Sequence, residues 1–185
     1  MSRLRSREWD HVYESGRTDE GDSTLIEEFY VPALERSTRY DRIAGYFSSS
    51  GLAVAMQGIE ALTENDGRIR LIAGAELYES DRPVLEALTD ELTQGLDDLS
   101  DEQLDARLEI LAHLLDEDRL EIKIAVTDEN WNIFHPKLGL FHDGDETVSF
   151  EGSVNETLGG WEENYERVKV TTSWDEGQEP YVEAD

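Results

Sequence analysis

The stretch RIAGYFSSSGLAVAMQGIEALTENDGRIRLIAGA, residues 42–75, decides the fold class of this chain. Residues 42–48 and 68–75 are short runs rich in apolar side chains, which predicts two strands. Residues 51–62 form a longer apolar segment that predicts a helix, and the Asn-Asp-Gly run that follows predicts its end. Because the order is strand, helix, strand, we expect two parallel strands joined by a crossover helix.

Similar patterns continue through the rest of the chain. Helical patterns occupy three further segments, residues 23–37, 81–95 and 101–117. Strand patterns occupy four segments, residues 120–126, 131–141, 147–151 and 166–172. Pro32 predicts a break in the first of these helices, and the Asp143-Gly144 pair predicts a hairpin turn between two of the strands.

Together these elements predict one α/β domain, a mixed β-sheet with helices on both faces, over residues 23–185. Residues 1–22 are polar, and we expect them to form a loosely ordered lead-in. The last residues, EGQEPYVEAD, carry no signal that would end a domain. An alternative is therefore that this domain is the N-terminal part of a longer protein.

The charge balance is the strongest feature of the composition. The chain has 44 acidic and 16 basic residues, a formal net charge of -28, and only three lysines, Lys123, Lys137 and Lys169. Such a charge repels itself in dilute buffer, whereas molar salt shortens the Debye length to roughly 3 Å and screens it. The composition therefore predicts a halophilic protein from a high-salt cytoplasm. A basic partner or nucleic-acid mimicry is the alternative, although the acids are spread along the whole chain.

The residue types that are missing exclude several classes of protein. The chain has no cysteine, which excludes disulfides, thiolate metal sites and a cysteine nucleophile. No apolar run approaches the roughly 18 residues of a membrane-spanning helix. The first residues are charged where a signal peptide needs an apolar stretch. We therefore expect a cytoplasmic protein that does not associate with a membrane.

Five polar side chains between residues 133 and 170 are the candidate functional group. His135 and Lys137 share one face of a predicted strand, where a neighbouring cation keeps an imidazole neutral and nucleophilic. Ser153 and Asn155 follow a glycine and can donate hydrogen bonds to phosphate oxygens. Glu166 has the inward parity of its strand, so its carboxylate needs a partner such as an imidazole N–H.

These residues resemble the signature of the phospholipase D superfamily. His135-Pro136-Lys137 is similar to its H-x-K motif, and residues 152–155, GSVN, are similar to the G-S-x-N of its nuclease-type members. Glu166 lies eleven residues beyond the asparagine, as in those members. Two positions depart from the pattern, because His142 stands where the family has aspartate and Asp143 comes one place late. The glycine also comes three residues late, and a longer hairpin would absorb both changes.

The resemblance implies a metal-independent phosphodiesterase that needs no cofactor. His135 would attack phosphorus and form a phosphohistidine, while Lys137, Ser153 and Asn155 would bind the phosphate oxygens. Glu166 would hold the imidazole in one tautomer. The leaving oxygen needs a proton from a second histidine, and this chain has one H-x-K, so the resemblance implies a homodimer or a second motif outside these residues.

The residues before the motif, 42–75, resemble the opening of phospholipase-D-like domains that precede helicase modules. The implied function is a nuclease acting on DNA or RNA. Two alternatives stay open: a non-catalytic nucleic-acid-binding module attached to a helicase, and an acidic interaction domain. An intact nucleophile favours the enzyme, since a module that only binds gains nothing from it.

Overall fold

The structure is a computed structural model, and it describes residues 2–18, 21–23, 25–45, 55–74, 114, 117–125, 134–155 and 165–184. The predicted helices over 81–95 and 101–117 lie almost wholly outside these residues. The described strands form a seven-stranded sheet and a separate two-stranded hairpin. The strand bounds are β1 Val12–Glu14, β2 Gly16–Thr18, β3 Gly21–Ser23, β4 Arg39–Ala44, β5 Arg68–Gly74, β6 Leu120–Ala125, β7 Leu138–Asp143, β8 Glu146–Gly152 and β9 Arg167–Thr172.

The large sheet has the strand order β1-β9-β8-β7-β4-β5-β6, and β2 pairs only with β3. The strands β4, β5 and β6 are parallel, while β4 with β7, β7 with β8, β8 with β9 and β9 with β1 are antiparallel. The predicted mixed sheet is therefore confirmed. The predicted strand–helix–strand unit is present as β4, α2 (Met56–Glu64) and β5.

The predicted hairpin also forms. Asp143 pairs with Glu146 at the end of the β7–β8 ladder, leaving a two-residue turn. Gly144 has a φ of 65° in this turn, a left-handed conformation that glycine adopts without a steric penalty. The first predicted helix is continuous rather than broken at Pro32: a π-helical turn, Ile26–Tyr30, leads directly into α1, Val31–Glu35. Proline is tolerated there because it occupies the first turn of α1.

Helices pack on both sides of the sheet. Aromatic rings from the π-helical turn cover one face, where Phe29 meets Phe141 and Phe150 edge to face and Tyr40 stacks on Phe141 with centroids 4.6 Å apart. The C-terminal helix α3, Glu179–Ala184, contacts β9 through its outward Lys169. The buried side chains of β9, Val168 and Val170, point to the first face.

The N-terminal segment is not the loosely ordered lead-in that its polarity predicts. A short 3-10 turn, Leu4–Ser6, buries Leu4 completely, and Trp9 and Tyr13 are also buried. Strand β1 extends the sheet by pairing with β9. Mostly polar residues separate these three buried residues, so no local periodicity predicts their burial. Their burial depends on a sheet edge formed by distant residues.

Candidate active site

The candidate residues gather where the parallel strands β4 and β5 end. The segment before β7, the end of β8 and the start of β9 meet at the same edge of the sheet. Glycines allow this close approach: a Cβ on Gly74 would lie 2.5 Å from the carbonyl oxygen of Gly45 and 2.9 Å from that of Phe134. The carboxyl ends of parallel strands are a common place for a binding site in α/β proteins.

His135 and Lys137 lie side by side, but not within a strand. The predicted strand over 131–141 begins only at Leu138, so both residues belong to the extended segment that enters β7. The Lys137 Nζ atom is 2.8 Å from Nδ1 and 3.1 Å from Nε2 of His135. An ammonium group can only donate, so the imidazole accepts this bond with a nitrogen lone pair. The side chain of His135 is exposed at the cleft.

Gly45 brings His135 and Asn155 together. The ideal Cβ position of Gly45 lies 3.0 Å from His135 Cδ2 and 3.4 Å from Asn155 Oδ1, so one point in space touches both side chains. Any larger residue at the end of β4 would push against the imidazole. Gly45 could not be selected from the sequence. A glycine at a strand end indicates close packing only when the segment that lies next to it is known.

Ser153 is fixed by the backbone at the entrance to β9. Its backbone N–H donates to the carbonyl oxygen of Arg167 over 3.2 Å, and its Oγ accepts from the Arg167 N–H over 3.1 Å. The hydroxyl of Ser153 keeps its own proton to donate. Gly152 makes this contact possible, since a Cβ there would lie 2.1 Å from the Arg167 carbonyl oxygen.

Glu166 is buried, as its parity predicts, with 8% of its surface exposed. Its backbone is held by Ser15 from the N-terminal segment: the Glu166 N–H donates to Ser15 Oγ, and the Ser15 N–H donates to the Glu166 carbonyl oxygen, each over 2.9 Å. The N-terminal segment therefore positions a candidate site residue. The expected hydrogen bond between Glu166 and His135 stays a prediction.

Arg42 is a second functional neighbour that the sequence analysis missed. It points into the core from β4, is 2% exposed, and its guanidinium lies 4.9 Å from the centre of the Phe150 ring. Its Nη2 donates to the carbonyl oxygen of Val154 over 2.6 Å, which anchors the segment that carries Ser153 and Asn155. An arginine within a β-strand gives no sequence signal for such a role.

Lys137 faces a like charge at the site. Burial lowers the pKa of Lys137, the positive charge of Arg42 lowers it further, and the carboxylate of Glu166 opposes both. A cation held near another cation favours the arrival of an anion, which would restore the charge balance. The side chains of His135, Lys137 and Ser153 also line one open groove of about 800 Å³.

The two residues that depart from the family pattern lie away from this edge. His142, near the end of β7, has Nε2 3.3 Å from Asp41 Oδ2 and Nδ1 3.0 Å from Thr147 Oγ1. Asp143 accepts a 2.6 Å hydrogen bond from the backbone N–H of Arg3. His142 therefore links neighbouring strands of the sheet, and Asp143 binds the N-terminal segment.

The described part of the chain also lacks two features. Among these residues, no group of three histidine or acidic side chains lies close enough to hold a metal ion. No helix described here has the length and apolarity needed to span a membrane.

Residues 30–181 match the family model described as "Cardiolipin synthase, PLD-like domain". This chain belongs to that phospholipase-D-like family. The match covers the site edge and most of the sheet described above. No curated protein sequence matches this phospholipase-D-like chain.

Solved structures share the fold at low sequence identity. A phosphatidylserine synthase from Haemophilus influenzae matches with a TM-score of 0.53 and 15% identity, over 94% of this chain and 36% of its own. A mutant of yeast tyrosyl-DNA phosphodiesterase matches with a TM-score of 0.52 and 14% identity, over 86% of this chain and 31% of its own. NucT from Helicobacter pylori has a TM-score of 0.49 and 14% identity, over 94% of this chain and 91% of its own. This chain therefore spans about a third of the length of the first two structures.

Proposed function

We propose that this protein is a metal-independent phosphodiesterase that cleaves DNA or RNA through a phosphohistidine intermediate. The observation that carries the proposal is that His135 lies beside Asn155 around Gly45 and beside Lys137, at the strand ends of a phospholipase-D-like fold. An imidazole that can attack phosphorus, a cation and an amide that stabilise the developing charge are the groups that this reaction requires.

Each residue of the set has one role. His135 attacks phosphorus, and the bond from phosphorus to the leaving oxygen breaks. Lys137, Ser153 and Asn155 donate to the non-bridging oxygens, where negative charge develops. Glu166 acts on the imidazole of His135 as a positioning residue that fixes its tautomer. Water then attacks the phosphohistidine, releasing a phosphomonoester and the free imidazole.

The leaving oxygen must take up a proton, and each chain has one H-x-K. We therefore include a symmetric dimer in the proposal, with the two copies of His135 facing each other across the two-fold axis. One imidazole attacks, and the other protonates the leaving oxygen and later takes a proton from the attacking water. A mixed dimer of a wild-type and a His135→Asn chain keeps one of the two histidines, so at most one histidine per mixed dimer can attack phosphorus. Sedimentation of the wild type should show a dimer.

The test is hydrolysis of bis(p-nitrophenyl) phosphate and of single-stranded DNA and RNA by the purified chain in EDTA. The proposal expects turnover that is equal with and without EDTA. Turnover that EDTA abolishes and Mg²⁺ restores would contradict it. Assays belong in molar KCl, since the net charge of -28 should favour the compact state there.

Two observations favour a second candidate, a non-catalytic nucleic-acid-binding module attached to a helicase. The chain spans only about a third of the two matched structures with the higher TM-scores, and it contains one H-x-K. A dimer that binds oligonucleotides but hydrolyses no substrate at any salt concentration would select this candidate. Helicase motifs encoded downstream in the same reading frame would establish the attachment.

A further inference from the structure

The outward side of β9 carries two basic residues, and a tyrosine precedes them beside the site. Tyr165 comes just before Glu166, and Arg167 and Lys169 are exposed while Val168 and Val170 are buried. Tyr181 of α3 lies against the far end, with the Lys169 Nζ 5.4 Å from its ring centre. We call Tyr165, Arg167, Lys169 and Tyr181 the β9 strip.

The β9 strip concentrates exposed apolar surface. Four large apolar or aromatic side chains are exposed in the described part of the chain, and three of them, Val12, Tyr165 and Tyr181, lie in or beside this strip. Tyr165 is 70% and Tyr181 61% exposed. Val12 pairs with Lys169 in the β1–β9 ladder. Exposed aromatic rings beside a cleft are suited to stack on planar groups of a ligand.

The groove beside the β9 strip is lined mainly by basic residues, although the chain is strongly acidic. The open groove that holds His135 is also lined by three cations, Lys137, Arg167 and Lys169, against one carboxylate, Glu151. Two of the three lysines in the sequence are therefore in this groove, although the chain as a whole carries a net charge of -28. A local cationic groove on an anionic protein guides a polyanion to one place and repels it elsewhere.

Glu14 of β1 holds part of the strip in place. Its Oε1 is 3.0 Å from the Nε of Arg167. It also accepts a hydrogen bond from Tyr165, which raises the pKa of that phenol. Both side chains remain largely exposed in this arrangement. They are therefore preorganised on the surface, which reduces the entropy cost of binding a ligand.

We propose that the β9 strip binds the single-stranded nucleic acid that flanks the scissile phosphodiester, with Arg167 and Lys169 on successive phosphates and Tyr165 and Tyr181 stacked on bases. Alternate residues of a strand are about 6.6 Å apart, a distance similar to that between neighbouring phosphates of an extended strand. A duplex keeps its bases stacked inside, so the tyrosines would contribute nothing to binding it. The inference deepens the proposed function, because it names a single strand as the substrate of that site.

The experiment measures binding of a short labelled oligonucleotide by fluorescence anisotropy, with the full chain carrying His135→Asn so that nothing is cleaved. Two strip variants are compared, Tyr165→Ala with Tyr181→Ala, and Arg167→Gln with Lys169→Gln. The two hydrogen bonds between Ser153 and Arg167 use backbone atoms of Arg167, so they are kept in the second variant. The matched controls are Ile72→Ala and Lys123→Gln, an exposed apolar residue and an exposed lysine on β5 and β6 at the opposite edge of the sheet.

Each strip variant should raise the Kd for the single strand roughly tenfold, and the controls should not change it. The tyrosine pair should leave duplex binding unchanged. The loss of two phosphate contacts should also reduce the slope of log K against log salt by about 1.4. The proposal is wrong if the strip variants have the same Kd as the controls. It is also wrong if replacing the tyrosines raises the Kd for a duplex as much as the Kd for a single strand.

Hydrolysis by chains with an intact His135 separates this inference from the proposed function. If the wild type binds single strands through the strip but hydrolyses neither an oligonucleotide nor bis(p-nitrophenyl) phosphate, the strip stands and the phosphodiesterase fails. If the wild type hydrolyses both and the strip variants lose no more on the oligonucleotide than on the small diester, the strip fails and the phosphodiesterase stands.

Discussion

Charged side chains at the hairpin end of the sheet pair with opposite charges, whereas at the site end Lys137 lies near the like charge of Arg42. At the hairpin end, Arg5 lies 2.8 Å from Glu146, and the backbone N–H of Arg3 donates to Asp143. At the site end, Lys137 contacts an imidazole and feels the charge of Arg42. Opposite charges that pair hold elements of the fold together. A cation that lies near another cation favours the binding of an anion.

The outer face of the sheet extends the contrast. Burial would raise the pKa of the Asp41 carboxyl, but hydrogen bonds from His142 and Arg70 and the charge of Arg39 hold it well below its usual range. The carboxylate therefore stays charged and paired across neutral pH. The molecule thus has two histidines next to charged groups, His142 beside the carboxylate of Asp41 and His135 beside the ammonium group of Lys137.

Exchanging each histidine for asparagine gives the largest expected difference between the two regions. His135→Asn should lower kcat for bis(p-nitrophenyl) phosphate by about a thousandfold or more, because it removes the nucleophile, and should leave stability unchanged, because the side chain is exposed. His142→Asn should lower the urea midpoint and keep kcat. Equal losses of activity in the two variants would remove the distinction.

Two glycines test the steric side of the same comparison. Gly45→Ala places a methyl group 3.0 Å from the His135 ring, and the displaced imidazole should react about tenfold to a hundredfold more slowly. Gly144→Ala meets no atom within 4 Å but strains a residue with a φ of 65°. It should cost about 1 kcal/mol of unfolding free energy and no activity. Initial rates and urea denaturation separate the two, and a Gly45→Ala enzyme of full activity would argue against the close packing of the site.

The Asp41 network should contribute to stability only while its carboxylate is charged. Since the folded-state pKa is depressed, the contribution is complete above the unfolded-state pKa, near 4, and disappears as the pH falls through the folded-state value. Asp41→Asn should therefore cost about 1–3 kcal/mol at pH 7 and progressively less below about pH 4. Urea unfolding of both proteins at several pH values measures this. A cost that is independent of pH would assign the effect to packing.

Salt should affect the whole molecule in the opposite direction to its individual exposed ion pairs. Exposed pairs such as Arg5–Glu146 weaken in molar KCl, but the self-repulsion of a chain with a net charge of -28 is screened. The net effect should be a melting temperature at least about 3 °C higher in molar KCl than in dilute buffer. A melting temperature that falls with KCl would contradict the high-salt interpretation.

The parts of the fold that depend on neighbours in the sequence could be predicted. Alternating and helical periodicity locates β4, α2 and β5, and the Asp143-Gly144 pair locates the hairpin, because these elements satisfy their hydrogen bonds locally or through an adjacent strand. The inward position of Glu166 follows from strand parity and is confirmed by its burial.

The parts that depend on distant contacts could not be predicted. Leu4 and Trp9 are buried in a core that residues far along the chain form, and β1 pairs with the distant strand β9. Gly45 touches His135 across 90 residues of chain, and Arg42 bonds to Val154 across 112. The family motif selected the candidate site residues, whereas Gly45 and Arg42, which contact them or their segment, belong to no motif.

The covalent bond proposed between His135 and phosphorus can be detected by trapping the intermediate. Wild-type protein turning over a diester in EDTA is quenched in alkali, where a phosphohistidine is stable, and its peptides are weighed by mass spectrometry. We expect a phosphate-containing adduct on His135, absent from His135→Asn and present in His142→Asn. Steady turnover with no adduct, or with an adduct on another residue, would contradict it.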